Sequence, residues 1–168
     1  MPHRAADTRE FNFRGEEMTF LIKIYTNIMT SVDLQQLELN EFIGKNSSTQ
    51  HCRATFPLVG FHGSKDLATV YFELAPGDNL GMHTDSAEEL LIVLQGNAEA
   101  TVGDEKKLAA GGSIVLVPKM MPHDIKNVGS SSVKVLGVFG GANNIVATFE
   151  EAMLPTESNV VDTAALFQ

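Results

Sequence analysis

Of the five histidines in this chain, two stand where they could do chemistry. His3 lies in the terminal stretch, and His51 and His62 flank the Phe56 region with no partner at ligand spacing. His83 is followed by Thr84-Asp85 and then by Ser86-Ala87-Glu88-Glu89. In an extended segment His83 and Asp85 share one face, because side chains alternate with a period of two. Glu89 falls across a tight bend and opens the next strand, with Leu91, Val93 and Gln95 on its face and Glu88 on the other. His123 opens a separate strand after Pro122, with Ile125 and Asn127 on its side. Two imidazoles and one or two carboxylates that converged inside a barrel would hold a first-row divalent ion: Fe, Mn, Ni, Co or Zn. Two histidines and one carboxylate with open positions is the form used by non-haem Fe(II) oxygenases. Such an ion can polarise a substrate oxygen, orient an enediolate or catecholate, or bind O₂. Spacing alone leaves the alternative that both histidines are ordinary polar residues at strand ends.

The elements that must position these residues are short strands. Residues 69–74 read as a strand stopped by Ala75-Pro76-Gly77-Asp78, a strong turn signal. Residues 89–95, 98–102, 113–117, 123–128, 133–139 and 145–149 follow, with Gly96-Asn97, Gly103-Asp104, Gly111-Gly112 and Gly129 at turns. Roughly seven or eight strands with turn signals every 8–12 residues predict an all-β antiparallel barrel or sandwich. Residues 31–43 mix alternation with helical spacing and stay open, and residues 44–52 read as a loop. Either Tyr71 or Phe72 must face inward. An inward Tyr71 would be a proton donor beside a metal, and otherwise it packs. Gln95 shares the parity of Glu89 and could touch substrate or a ligand. Met82, Met120 and Met121 would line a cavity mouth or join the core.

Composition bounds the partners. At 168 residues and 18.2 kDa, with 43% apolar residues, the chain is of a size for one compact domain. A net charge of −9 opposes binding to a phosphate backbone, so no nucleic acid is expected. The single cysteine, Cys52, allows neither an intrachain disulfide nor a zinc site built on cysteines, and a cytoplasmic setting fits best. Residues 18–29 are apolar but short and carry Lys23, so no membrane span is expected. They would pack on the main domain as an amphipathic strand or helix, or serve a dimer contact. The expected organisation is an N-terminal extension over 1–50, a barrel over 51–152 and a C-terminal tail over 153–168.

Two motifs give this pattern a family resemblance. Gly77, His83, Asp85, Glu89 and Gly96 fall at the spacing of the first cupin motif, with Asp85 in place of its second histidine. Gly112, Pro118, His123 and Asn127 match the second motif, with Met120 in place of its glycine. The chain thus resembles the cupin superfamily, and the strand pattern extends the likeness over residues 56–149. The resemblance implies a double-stranded β-helix, or jelly-roll, barrel. It implies His83, Glu89 and His123 as metal ligands with Asp85 at the fourth ligand position, either coordinating or standing back as a base. An added carboxylate favours Fe or Mn over Ni, Co or Zn. The implied activity is that of a dioxygenase-type oxidoreductase on a small organic substrate. The alternatives are a metal-dependent isomerase or a non-catalytic small-molecule-binding barrel. Single-domain relatives commonly pair through an edge strand, so a homodimer is expected.

Overall fold

The computed structural model describes residues 30–167. Twelve strands make up nearly all of it: β1 (Asn40–Gly44), β2 (His51–Thr55), β3 (Leu67–Leu74), β4 (His83–Asp85), β5 (Glu88–Gln95), β6 (Asn97–Val102), β7 (Glu105–Ala110), β8 (Ile114–Val117), β9 (His123–Asn127), β10 (Val133–Gly140), β11 (Val146–Leu154) and β12 (Ser158–Asp162). All pairings between these strands are antiparallel, in the order β7-β6-β9-β4-β11-β1-β2-β3-β10-β5-β8, with β12 added alongside β11. The sheet curls into a nearly closed jelly-roll barrel.

Alternation decides which residues fill that barrel. Along β10, Val133, Val135, Gly137 and Phe139 are buried while Lys134, Leu136 and Val138 are partly exposed. Phe72 and Leu74 of β3, Leu91 and Val93 of β5 and Ile125 of β9 meet them from facing strands and are almost fully buried. Each such side chain contributes about 1.5–3 kcal/mol through removal from water. Glycine-centred turns reverse the chain between strands. Gly96, between β5 and β6, sits at φ +88°, and a Cβ there would meet the Ser132 carbonyl oxygen at 2.8 Å.

The sheet extends beyond the residues 51–152 expected from the sequence. Residues 31–43 resolve into a 3₁₀ turn at Leu34–Gln36 and then β1, which bridges β2 and β11. The stretch read as a loop ends early, because His51 and Cys52 already pair with Ile43 and Phe42. At the other end β11 runs to Leu154, and the expected tail supplies β12 and the short helix α1 (Thr163–Leu166). A buried Thr163 hydroxyl accepts from the Ile145 backbone N–H and ties that tail to the barrel. The apolar stretch 18–29 lies outside the described residues.

One turn is built against backbone preference. Met120 sits at φ +61°, where β-carbon sterics cost an L residue roughly 1–2 kcal/mol. Its backbone N–H donates to the Asp85 carbonyl at 2.9 Å, so this turn braces β4. The side chain contributes little packing, being 56% exposed. Met120→Gly is therefore expected to stabilise the protein by about 1 kcal/mol, part of the relief being offset by glycine's greater unfolded entropy. A thermal melt should show a rise of roughly 2–4 °C; a fall would mean that the methionine side chain supports the turn in another way.

Candidate metal centre

Three strands bring the four polar side chains together. In the sheet β4 lies between β9 and β11, and His83 is directly opposite His123 on one side and Phe149 on the other. Asp85 follows two residues along β4 on the same inward face. Glu89 arrives from β5, which belongs to the opposite wall of the barrel. All four are buried, with Asp85 and Glu89 each 2% exposed.

Backbone carbonyls set the imidazole orientation. The Nδ1 of His83 lies 2.7 Å from the Gly81 carbonyl oxygen, and Nδ1 of His123 lies 2.9 Å from that of Met121. A carbonyl only accepts, so each Nδ1 carries a hydrogen, and Nε2 is the nitrogen left to ligate a cation in the neutral ring. The His83 ring is further held by stacking on Phe149, with centroids 4.6 Å apart. Gly81 itself is pinned on both sides. Its N–H donates to Asp124 at 2.9 Å, and the Gln50 side chain fills the space where a Cβ would stand.

Both Nε2 atoms face carboxylate oxygens. His123 Nε2 is 3.2 Å from Asp85 Oδ2 and 3.3 Å from Glu89 Oε2, and His83 Nε2 is 3.6 Å from Asp85 Oδ2. These approaches are close in distance but not aligned as hydrogen bonds. Both Asp85 oxygens, Glu89 Oε2 and His123 Nε2 are buried without a hydrogen-bond partner among the described residues. Buried polar atoms left this way are costly. Donors sharing one small cation at about 2.0–2.2 Å stand roughly 3–3.5 Å apart, which is the spacing found. Ligating atoms of His83, Asp85 and His123 all lie within 4.8 Å of one another, while Glu89 stands outside that mutual spacing and approaches the group at His123. The residues present therefore fit a divalent metal.

Titration tells the same story. Burial holds the His83 imidazolium down to about 4, helped by the neighbouring His123 ring. Burial pushes the Glu89 carboxyl up to about 7 against the pull of His123. Burial also opposes charge on His123, but the carboxylates of Asp85 and Glu89 outweigh it and raise that group to about 10. The two carboxylates thus draw positive charge to the centre, either a proton on His123 or a cation that takes its place.

Beside these residues lies a narrow cavity of about 50 Å³. Its walls include Phe42, Phe56, Phe72, Phe139 and Phe149, with His83, Asp85 and Glu89 as the main polar groups. Cys52 also reaches it, its thiol pushed up to about 12 by burial and by the nearby Asp78 charge. Phe72, and not Tyr71, is the inward residue of β3. The Tyr71 hydroxyl donates instead to Glu73 at 2.9 Å on the other face, so it is not a proton donor at this site. Gln95 is exposed as well. Lys134 lies opposite Gln95 and Val135 opposite Val93, so Leu94 is an extra residue that breaks the parity carried from Glu89. No Met82, Met120 or Met121 side chain lines this cavity; Met120 and Met121 serve the site through their backbone. Asn127 is a turn brace, its amide donating to the carbonyls of Leu74 and Ser131.

A family model described as a cupin domain matches residues 70–139, the stretch that carries all four of these side chains. Residues 70–139 form a cupin domain. No curated protein matches the sequence. Solved structures share the fold at low identity. The polyketide cyclase RemF from Streptomyces resistomycificus is 16% identical, with a TM-score of 0.56 over 67% of this chain and 80% of that one. A putative sugar phosphate isomerase from Acidithiobacillus ferrooxidans is 18% identical, with a TM-score of 0.57 over 82% of this chain and 92% of that one. An oxalate decarboxylase mutant from Bacillus subtilis is 19% identical, with a TM-score of 0.54 over 64% of this chain but only 30% of that one. The cupin barrel is thus common ground for proteins whose names imply different reactions, and the barrel alone selects none of them.

Two supporting residues gave no signal at the level of motifs. Gln50 backs Gly81, and Gly137 of β10 leaves the space that Glu89 occupies: a Cβ there would collide with Glu89 Oε1 and stand 2.6 Å from Val70 Cγ1. Gly137→Ala should cost about 1–3 kcal/mol of stability through overpacking and weaken Mn(II) binding at least tenfold by displacing Glu89. Gly140→Ala, at a position where a Cβ meets nothing within 4 Å, is the control and should change neither. Thermal melts and Mn(II) titrations of both variants check this; unaltered Mn(II) affinity in Gly137→Ala would remove Glu89 from the ligand set.

Proposed function

We propose that this cupin is a metal-dependent enzyme, an oxidoreductase of the dioxygenase type acting on a small organic substrate. The observation that carries the reading is the set of buried donor atoms on Asp85, Glu89 and His123 that have no hydrogen-bond partner among the described residues, gathered with His83 beside an apolar cavity. Fe or Mn is favoured, since two carboxylates and two imidazoles make a harder donor set than thiolate or all-imidazole sites. When bound, the metal supplies Lewis-acid polarisation of a substrate oxygen and, for iron or manganese, access to one-electron chemistry.

The chain's own residues divide the remaining work. His83 and His123 offer Nε2 to a cation because Gly81 and Met121 hold their Nδ1 hydrogens. Asp85 lies between the two imidazoles, so it is placed either to coordinate or to take a proton from a substrate hydroxyl at the same point. The phenylalanine wall excludes bulk water, which strengthens every electrostatic contact inside. The organisation outside the site belongs to the same reading. We take the protein to work in the cytoplasm as a homodimer, since Leu94, Ile114 and Leu116 leave an apolar outer face at the β8 edge.

Elemental analysis of protein purified without an affinity tag or added metal should find one transition-metal ion per chain. His83→Ala and His123→Ala should each abolish it while the fold, read by circular dichroism, persists. If the isolated protein holds little metal and then fails to bind Fe(II), Mn(II), Ni(II) or Zn(II) saturably, the enzyme reading falls. Light scattering should return twice the chain mass of 18.2 kDa; a monomer would dispose of the dimer.

A further inference from the structure

The cavity has a charge balance that restricts what can enter it. Two buried carboxylates, Asp85 and Glu89, face it, and both histidines, with Nδ1 against backbone carbonyls, would ligate a metal through Nε2 as neutral rings. A divalent ion held by that set brings the centre to zero net charge. Among the described residues no lysine or arginine lines the cavity. Five phenylalanine rings, aliphatic side chains and an un-ionised Cys52 thiol form the rest of the wall. A ligand carrying two negative charges would leave an uncompensated −2 in surroundings that offer no counter-ion, and buried unpaired charge is among the most costly arrangements in a protein. A neutral ligand, or one that arrives neutral and binds as a monoanion, meets no such penalty. Its carbon body would gain from contact with the rings.

We infer that this site selects a small, uncharged, apolar-bodied molecule that reaches the metal through one or two oxygens and binds as at most a monoanion, and that it rejects dicarboxylates and phosphate esters. The inference rests on the metal reading above and narrows it to a substrate class. It separates this chain from what the names of several fold neighbours suggest, since an oxalate decarboxylase and a sugar phosphate isomerase are named for doubly charged compounds.

Acetohydroxamic acid and oxalate provide the test. Both are small bidentate oxygen chelators that close five-membered rings, but the first binds as a monoanion and the second as a dianion. The full-length protein is first titrated with Mn(II) and the uptake measured by electron paramagnetic resonance. Each chelator is then added, and displacement of metal-bound water is followed by proton relaxation, with aqueous Mn(II) at the same pH as reference. Relative to the free ion, the protein should raise the hydroxamate-to-oxalate affinity ratio at least tenfold. Propionohydroxamic acid, one methylene longer, should bind the protein a further few-fold more tightly than acetohydroxamic acid, as expected for burying a CH₂. A ratio equal to or below that of aqueous Mn(II) overturns the charge selection while leaving the metal reading intact. Loss of affinity with the added methylene overturns the apolar-bodied class. Absence of Mn(II) uptake overturns the metal reading and this inference with it.

Discussion

Two carboxylates are buried in this barrel, and among the described residues no lysine or arginine lines the cavity beside them. Every other feature of the site follows from that constraint. Carboxylates of this kind are tolerated when hydrogen bonds or cations compensate them, and among the described residues the hydrogen bonds are missing for both oxygens of Asp85 and one of Glu89. The two imidazoles approach as partners, but their Nδ1 hydrogens are committed to backbone carbonyls on the far side of each ring. What converges at the cavity is therefore a set of donor atoms that must share positive charge, a proton on His123 or a cation in its place. A protein that gained only stability from this region would do better with apolar residues of the same volume, as replacement of buried ion pairs shows in general. The arrangement makes physical sense as a receptor for positive charge.

The rest of the barrel serves the placement of those donor atoms. The motif glycines Gly77, Gly96 and Gly112 take positive φ in the turns before β4, after β5 and before β8, and Gly137 of β10 leaves room for the Glu89 carboxylate. The Met120 turn holds the Asp85 carbonyl, and the paired support of Gln50 and Asp124 holds Gly81, whose carbonyl orients His83. Positioning thus reaches the ligand side chains through backbone atoms far more than through other side chains. That is one reason why the sequences of proteins with this fold can differ at most positions while the barrel persists.

Much of this was legible in the sequence for a simple reason: strands have a period of two, and turns need glycine. The parity argument placed His83 with Asp85, and Glu89 with Leu91 and Val93, on inward faces, where the structure has them. Parity failed at Gln95, because a bulge at Leu94 inserts one residue and nothing in LIVLQGN announces it. It could not choose between Tyr71 and Phe72, since adjacent aromatic residues satisfy either phase of a strand. The pairing Tyr71 finds, Glu73 on its own strand, becomes visible only with coordinates. Likewise β1, β12 and the start of β2 are too polar to read as strands by themselves. They exist because neighbours supply the ladder, which is a tertiary effect on a weak local preference.

The order of strands carries one more consequence. Between β4, which bears His83 and Asp85, and β5, which bears Glu89, five strands intervene along the hydrogen-bonded path, and no ladder joins the two directly. The four side chains meet across the barrel's interior where the sheet itself does not close. An ion seated among them would act as a rivet between walls whose hydrogen-bonded ladders connect only the long way round, beside the short chain turn Ser86-Ala87 that links β4 to β5. Breathing of the barrel and occupancy of its centre are then one variable: whatever pulls the walls apart loosens the ion, and whatever seats the ion draws the walls together.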